Sequence, residues 1–295
     1  MDSTPISNSQ RVDAYLAEAR PLDSGDLDHL HQLAVSVFWP HRARDLRLLM
    51  SLGQGYLALD EIERVLASGM YFEMGTDFAM IGMMMTAPRL QARGAGRWLL
   101  DRILADCAGR DLRLNATRQA YRLYASAGFV PVVTVHQRQG LVPEAGLPEI
   151  STVYPVRALQ KNDLPALQAL DRVAFGAERH AVLGALFAVS EGTLAVRDGA
   201  PVGFALIRDF GRGRVIGPVV AQDEAMAMAL IAPLIQRHPG QFLRIDTSCD
   251  SRVFVDFLNA AGLLEYDTVT QMRLGKQRGG DGPVRTFGLA AHTLG

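Results

Sequence analysis

The chain has 295 residues, of which 48% are hydrophobic and 21% charged, a composition typical of globular domains. This length is long for one compact domain and comfortable for two. Lys and Arg (30) nearly balance Asp and Glu (31), so the net charge of -1 creates no field that would gather nucleic acid or an anionic membrane. No apolar run approaches the roughly 20 residues of a membrane span and the start lacks a signal pattern, so we expect a cytoplasmic protein.

The two cysteines and seven histidines show neither metal-ligand nor disulfide spacing. Cys107 falls in a predicted helix and Cys249 after a predicted strand, so both are interpreted as structural. His29 and His31 are two residues apart on a predicted helix and therefore point in different directions. We expect no bound metal.

Hydrophobic periodicity predicts the elements of the first half in chain order. After a flexible stretch at residues 1–10, strands are predicted at 14–19, 55–60, 63–73, 77–86, 111–115 and 131–138. Helices are predicted at 26–37, 42–52, 96–108 and 119–127. A strand, two helices, three strands and then alternating helix and strand indicate an α/β fold, with a mixed, mostly antiparallel sheet flanked by helices.

The second half repeats the first in the same order. Residues 19–27 recur as 156–164, 55–59 as 192–196, 112–117 as 243–248 and 127–129 as 261–263. Ordered matches of this kind indicate two tandem domains of one fold. Helix and strand breakers then divide the chain into a first domain at 11–139, a linker at 140–151, a second domain at 152–275 and a partly packed C-terminal tail at 276–295.

A glycine loop follows the strongly apolar strand of the first domain. The strand leads through residues 87–90 into Gln91-Ala92-Arg93-Gly94-Ala95-Gly96, and an amphipathic helix follows. Such a loop suits a phosphate, because backbone N–H groups at a helix start can approach the ligand closely. Glycines are also common where only turn geometry and packing require them, and for the loop by itself that alternative stays open.

Two other phosphate motifs do not fit this loop. Gly96 is followed by Arg97 and Trp98, so the Lys and Ser or Thr of a nucleotide P-loop are missing. Leu99 stands where a dinucleotide-binding fingerprint needs its third glycine.

The loop and one further motif together resemble the GNAT superfamily of acetyltransferases. Gln91, Gly94 and Gly96 fit the family's pyrophosphate loop, Q/R-x-x-G-x-G/A. Tyr124 lies in a segment, residues 123–129, that resembles the family's L-Y-x-x-x-G-F motif and is placed one strand after the loop helix. The resemblance covers the first domain and, more faintly, the second, as in a bacterial tandem subgroup with a divergent second GNAT-like domain.

The resemblance implies an acetyl-CoA-dependent N-acetyltransferase that moves an acetyl group to a primary amine by direct attack in a ternary complex. It places the pyrophosphate on N–H groups of residues 93–96, and the pantetheine beside the backbone of residues 83–86 like an additional strand. The side chains of the methionine run are otherwise interpreted as core. The residues assigned to acetyl-CoA are Met83, Met84, Met85, Thr86, Gln91, Arg93, Gly94, Ala95, Gly96, Arg97 and Asn115.

Catalysis requires proton transfers at both ends of the reaction. By resemblance, Tyr124 donates a proton to the leaving thiolate, although its ring could also serve packing. An amine acceptor with a pKa of about 10.4 costs about 4.6 kcal/mol to deprotonate at neutral pH, so we expect a base or relay. Glu73 and His41 are the candidates for that base. For each of them a solvated charge without a catalytic role is the alternative, and it is the more common one for such residues.

The resemblance also implies that the acceptor lies beside the segment after the first helix, where Trp39, Arg42 and Asp45 are assigned to substrate binding. The acceptor amine itself is not identified by the sequence, and a homodimer is left open.

The second domain lacks the motifs of the first. Asp223 and Glu224 follow its apolar strand in place of a glycine loop and would repel a pyrophosphate, and Leu258 stands at the position of Tyr124. We therefore expect the first domain to be catalytic and the second to have lost CoA binding. The alternatives are a non-catalytic acyl-CoA-binding sensor or scaffold, and a structural pair without ligand.

Overall fold

The computed structural model of the chain describes residues 7–144, 147, 154–279 and 282–295. The chain forms two compact units, Met1–Arg113 and Leu114–Gly295. The predicted domain boundary at residue 139 lies further along the chain than this division. Much of the predicted linker lies outside the described residues, as do residues 1–6. The predicted domain limits therefore stay a prediction.

The first unit contains an antiparallel sheet with the strand order β1-β2-β3-β4-β5. Its strands are β1 (Ser9–Val12), β2 (Tyr15–Pro21), β3 (Gln54–Leu59), β4 (Val65–Glu73) and β5 (Phe78–Thr86). Its helices are α1 (Leu27–Ser36), α2 (Ala43–Leu52) and α3 (Ala95–Asp106). Helices α1 and α3 pack on β4, which is buried along all but its last residue. Strand β6 (Asp111–Ala116) continues into the second unit.

The second unit contains a mixed sheet with the strand order β13-β7-β12-β11-β10-β9-β8, and β14 pairs with β11. Its strands are β7 (Val130–Leu141), β8 (Val156–Ala158), β9 (Ser190–Arg197), β10 (Ala200–Phe210), β11 (Gly213–Ala221), β12 (Phe242–Thr247), β13 (Leu264–Leu274) and β14 (Arg285–Gly288). Its helices are α4 (Tyr121–Ser126), α5 (Leu164–Phe175), α6 (His180–Ala188), α7 (Glu224–Gln236) and α8 (Arg252–Ala260). Strands β11 and β12 are parallel.

The repeat inferred from the sequence is visible element by element. The succession β2, α1, α2, β3, β4, β5, α3, β6, α4, β7 recurs as β8, α5, α6, β9, β10, β11, α7, β12, α8, β13. An equivalent ion pair lies near the start of each copy. Arg20 donates hydrogen bonds of 2.7 and 2.6 Å to Asp26, and Arg157 donates two hydrogen bonds of 2.7 Å to Asp163. Both carboxylates also accept a backbone N–H three residues earlier. We refer to the two copies as the first and second repeat.

Two strands were not predicted, β1 and β14. Part of the expected flexible N-terminus is ordered, since Ser9 and Gln10 belong to β1, which pairs with β2. Ser7 lies two residues before β1 and is bound to α3. Its carbonyl accepts hydrogen bonds from Trp98 Nε1 (3.1 Å) and from Arg102 (2.5 Å). These partners lie far away in sequence, so periodicity within the segment could not reveal them.

Strand β7 belongs to the first repeat by sequence but pairs with strands of the second. It lies between β12 and β13 and is antiparallel to both. The sheet of the second unit thus includes one strand that belongs to the preceding repeat, between β12 and β13. Among the described residues, no helix is both long and apolar enough to cross a membrane.

Candidate active site

A β-bulge interrupts the strand that carries the methionine run. The register between β4 and β5 shifts between Ser68 and Met70, so that one residue of β4 faces two residues of β5, Met83 and Met84. Met83 adopts a φ of +52°, a left-handed conformation that costs a non-glycine residue about 1–2 kcal/mol. The buried hydroxyl of Ser68 donates a hydrogen bond of 2.8 Å to the Met83 carbonyl. The bulge therefore lies within the residues assigned to pantetheine, and a buried side chain fixes it.

The glycine loop turns the chain from β5 into α3 by two left-handed residues. Ala92 has a φ of +62° and Gly94 a φ of +94°. Gln91 donates a long hydrogen bond of 3.5 Å to the Thr86 carbonyl, across the base of the loop. The N–H of Arg93 donates to the Leu90 carbonyl at 3.2 Å, so in this conformation it is already used by the turn.

The start of α3 remains suited to an anion. Gly94 is the N-cap, and no side chain of the described residues caps the helix there. The first N–H groups of a helix have no partner within the helix and carry the positive end of its dipole. The guanidinium groups nearby are engaged at the surface: Arg93 lies 3.6 Å from Asp13, and Arg97 lies 2.7 Å from Asp101. The backbone N–H groups, rather than these side chains, are therefore the donors at this helix start that suit an anion.

Tyr124 lies on α4 in the second unit and is 5% exposed. Its ring packs edge-on against Phe129 at 6.0 Å between centroids, and within the described residues its hydroxyl has no hydrogen-bond partner. Burial raises the pKa of Tyr124 well above its ordinary value, so at neutral pH the phenol keeps the proton that a donor must carry.

Asn115, at the end of β6, is held by the C-terminal segment. Its Nδ2 donates to the carbonyl of His292 at 2.7 Å. A carbonyl only accepts, so this contact fixes the orientation of the amide. Its Oδ1 is buried without a partner in the described part of the chain.

The structure separates one candidate base from the bulge. Glu73 ends β4 opposite Ala79, four residues before Met83 along β5, which corresponds to roughly 13 Å. Its carboxylate forms an ion pair of 2.7 Å with Arg110. This arrangement supplies a structural role for Glu73, and its assignment as base stays a prediction.

The segment assigned to the acceptor joins α1 to α2. The rings of Trp39 and His41 lie 5.6 Å apart, and Asp45 accepts the backbone N–H of Arg42 at 2.8 Å as part of the cap of α2. Phe38, which the sequence reasoning did not single out, is 94% exposed. The roles of His41, Trp39, Arg42 and Asp45 remain predictions.

Sequence reasoning also missed Ser68, which fixes the bulge. A signal was present, because Ser68 is a hydroxyl residue inside an otherwise apolar strand, and buried hydroxyls require partners. The carbonyl it would meet could not be read from the sequence.

Comparison with known proteins identifies the family. Two family models, each described as an acetyltransferase (GNAT) domain, match residues 30–143 and residues 167–282. The chain belongs to the GNAT acetyltransferase superfamily. The two matches fall on the two repeats, so this GNAT protein has tandem acetyltransferase-type domains. No curated protein matches the sequence.

Solved structures share the fold of this tandem GNAT protein over nearly its whole length. A putative acetyltransferase from Pyrococcus horikoshii has a TM-score of 0.78 at 20% identity, covering 95% of this chain and 96% of that one. A GCN5-related N-acetyltransferase from Sphaerobacter thermophilus has a TM-score of 0.65 at 15% identity, covering 90% and 98%. A tandem GNAT protein from the clavulanic acid biosynthesis pathway has a TM-score of 0.63 at 16% identity, covering 88% and 99%. At these identities the likeness concerns the fold.

Proposed function

We propose that this GNAT protein is an acetyl-CoA-dependent N-acetyltransferase whose first repeat is catalytic. The observation that carries the proposal is the contrast between two equivalent helix starts. The N-cap of α3 is Gly94, which has no side chain to cap the helix, whereas the N-cap of α7 is Asp223, whose carboxylate accepts the N–H of Met226 at 2.8 Å. An anionic ligand is favoured at the first and excluded by charge at the second.

The bulge supplies the second part of the proposed chemistry. An extra residue in one strand leaves a backbone group outside the ladder of the pair. An N–H of the Met83 and Met84 bulge can then donate to the thioester carbonyl oxygen as negative charge develops on it. Ser68 fixes this donor before the reaction, so little reorganisation is required.

Tyr124 would complete the transfer of the acetyl group. The neutral amine forms a C–N bond with the acetyl carbon and the C–S bond breaks, with the departing sulfur taking a proton from the phenol. The nitrogen then gives up one proton to a base or to solvent, and the phenolate of Tyr124 regains one, which leaves a neutral amide, a thiol and the original phenol. The raised pKa of Tyr124 follows from burial, and within the described residues no partner competes for its proton.

The proposal is tested by incubating the full chain with acetyl-CoA and a library of primary amines. Free thiol and acetylated products are followed together by mass spectrometry. Thiol release that depends on one class of amine, with a matching gain of one acetyl group, supports the N-acetyltransferase. Tight CoA binding without release for any amine would instead favour the acyl-CoA sensor, and absence of CoA binding would remove both.

A further inference from the structure

Strand β11 of the second repeat corresponds to β5, the strand assigned to pantetheine in the first repeat. Residues 78–86 of β5 align without a gap with residues 213–221 of β11, and both contain Ile-Gly at the same place. The register of β10 and β11 also shifts, between Ala205 and Ile207, so this strand carries a bulge within one residue of the equivalent position. The segment equivalent to residues 83–86, where pantetheine is expected, is therefore 218–221.

Strand β14 occupies this segment. Val219, Val220 and Ala221 of β11 pair with residues 285–288. Strands β11 and β12 pair directly only over 214–216 and 243–245, and beyond that point β14 takes the free edge of β11. The N–H of Leu289 then donates to the Asp246 carbonyl of β12 at 2.8 Å. The C-terminal segment thus lies between β11 and β12 and is hydrogen-bonded to both.

Apolar side chains of the C-terminal segment are buried in the core of the second repeat. Phe287 is 1% exposed and packs against Phe254 of α8, with 5.9 Å between ring centroids. Leu258, which stands at the position of Tyr124, belongs to the same buried cluster. A Cβ added at Gly217 would overlap the Leu289 carbonyl oxygen, so the backbone of the segment lies directly on β11.

Polar contacts anchor the segment beyond β14. Arg208 donates to the carbonyl of Ala290 at 3.0 Å. Arg179, which is fully buried beside Asp171, donates to the carbonyls of Leu294 (2.6 Å) and Gly295 (2.7 Å). Buried guanidinium groups committed to a segment in this way make its detachment costly.

The place equivalent to the pyrophosphate is also taken by the protein. Asp223 caps α7 and accepts a second hydrogen bond, of 2.6 Å, from the Tyr154 hydroxyl. A carboxylate at a helix start satisfies the N–H groups and the dipole that would otherwise attract a phosphate.

We propose that the acyl-CoA cleft of the second repeat has become a peptide-binding groove, permanently occupied by the chain's own residues 284–295. In this arrangement β14 replaces pantetheine by strand addition, and Asp223 replaces the pyrophosphate. The chain then binds one acetyl-CoA, in the first repeat, and the second repeat is held in its liganded form by a covalently attached occupant. The equivalence of positions rests on the function proposed above.

Two measurements on the full-length chain test the inference. Calorimetric titration with CoA should give one site in the wild type and none in Gly94→Glu. Hydrogen exchange of the wild type should show the amides of 286–289 protected about a thousandfold or more relative to an unstructured peptide, as expected for core strands. This protection should be the same with and without saturating CoA.

The outcomes separate the inference from the proposed function. A second CoA site in the wild type, or exchange at 286–289 that accelerates with CoA, would show that the second repeat also binds CoA and would overturn the inference while leaving the function intact. A wild type that binds no CoA would end the proposed function instead. In that case, free exchange of 286–289 would also refute the groove, whereas strong protection would still support it.

Discussion

Replacing Ser68 by Ala tests whether the bulge in β5 is part of the catalytic apparatus. The substitution removes the 2.8 Å hydrogen bond to the Met83 carbonyl, and both residues are fully buried. A buried acceptor that loses its partner costs about 1–3 kcal/mol. Because Met83 already adopts a φ of +52°, the bulge has a strained conformation that this bond helps to hold.

We expect Ser68→Ala to lower the free energy of unfolding by about 1–3 kcal/mol in urea denaturation. At a temperature where the variant remains folded, kcat for acetyl transfer should fall by about tenfold to a hundredfold, since a displacement of about 1 Å at a reacting group has effects of this size. The affinity for CoA should change less than kcat.

Ser51 provides a matched control. Its hydroxyl donates to the Leu48 carbonyl at the same distance, 2.8 Å, but at an exposed helix position. Ser51→Ala should therefore stay within about 0.5 kcal/mol of the wild type with unchanged kcat. If Ser68→Ala behaves like Ser51→Ala in both measurements, the bulge does not depend on this bond and the reasoning fails.

Three further predictions concern the loop, the phenol and the repeated ion pair. Gly94→Glu should abolish CoA binding in calorimetry, whereas Gly109→Glu, with a similar φ of +83° and open space around it, should bind normally; equal affinities would refute the loop assignment. Tyr124→Phe should lower kcat by about tenfold to a hundredfold with little change in the KM for acetyl-CoA. Full activity of this variant would mean that the Tyr124 ring serves packing and that its hydroxyl is not the proton donor. Burial acts to raise the pKa of Asp26, but hydrogen bonds from Arg20 and the backbone outweigh it and lower the pKa to about 2. This carboxylate therefore stabilises the fold above its unfolded pKa of about 3.9 and loses that contribution as the pH falls through 2. Asp26→Asn should be less stable than wild type at pH 7 in urea denaturation, with the difference shrinking between about pH 4 and pH 2; a constant difference would refute this.

The tertiary structure changes what a truncation of the chain would mean. The sequence pattern places β7 at the end of the first domain, but β7 pairs with β12 and β13. A chain ending near residue 151 would leave this strand with both edges unpaired. Loss of activity in such a truncation would report misfolding rather than a direct contribution of the second repeat to catalysis, so point variants of the full chain are the better tests.

Periodicity, glycine positions and self-similarity were sufficient to predict the α/β class, the repeat and the helices and strands that carry the loop. They act locally: the amphipathic run after Gly96 favours α3 wherever the helix packs, and Gly94 is needed for its φ of +94°. The difference between Gly94 and Asp223 was also readable, because capping and charge at a helix start depend on neighbouring residues.

What the sequence did not predict depends on partners distant in the chain. Strand β14 is a four-residue segment whose pattern gives no indication that it would add to β11 where a cofactor was expected in the other repeat. Ser68 and the Met83 carbonyl are fifteen residues apart, and only the register of β4 and β5 makes them neighbours. Local patterns fix which segments become strands and helices, whereas the choice among available edges and buried partners is made by the packed tertiary structure, where most buried polar groups must find a partner at the same time.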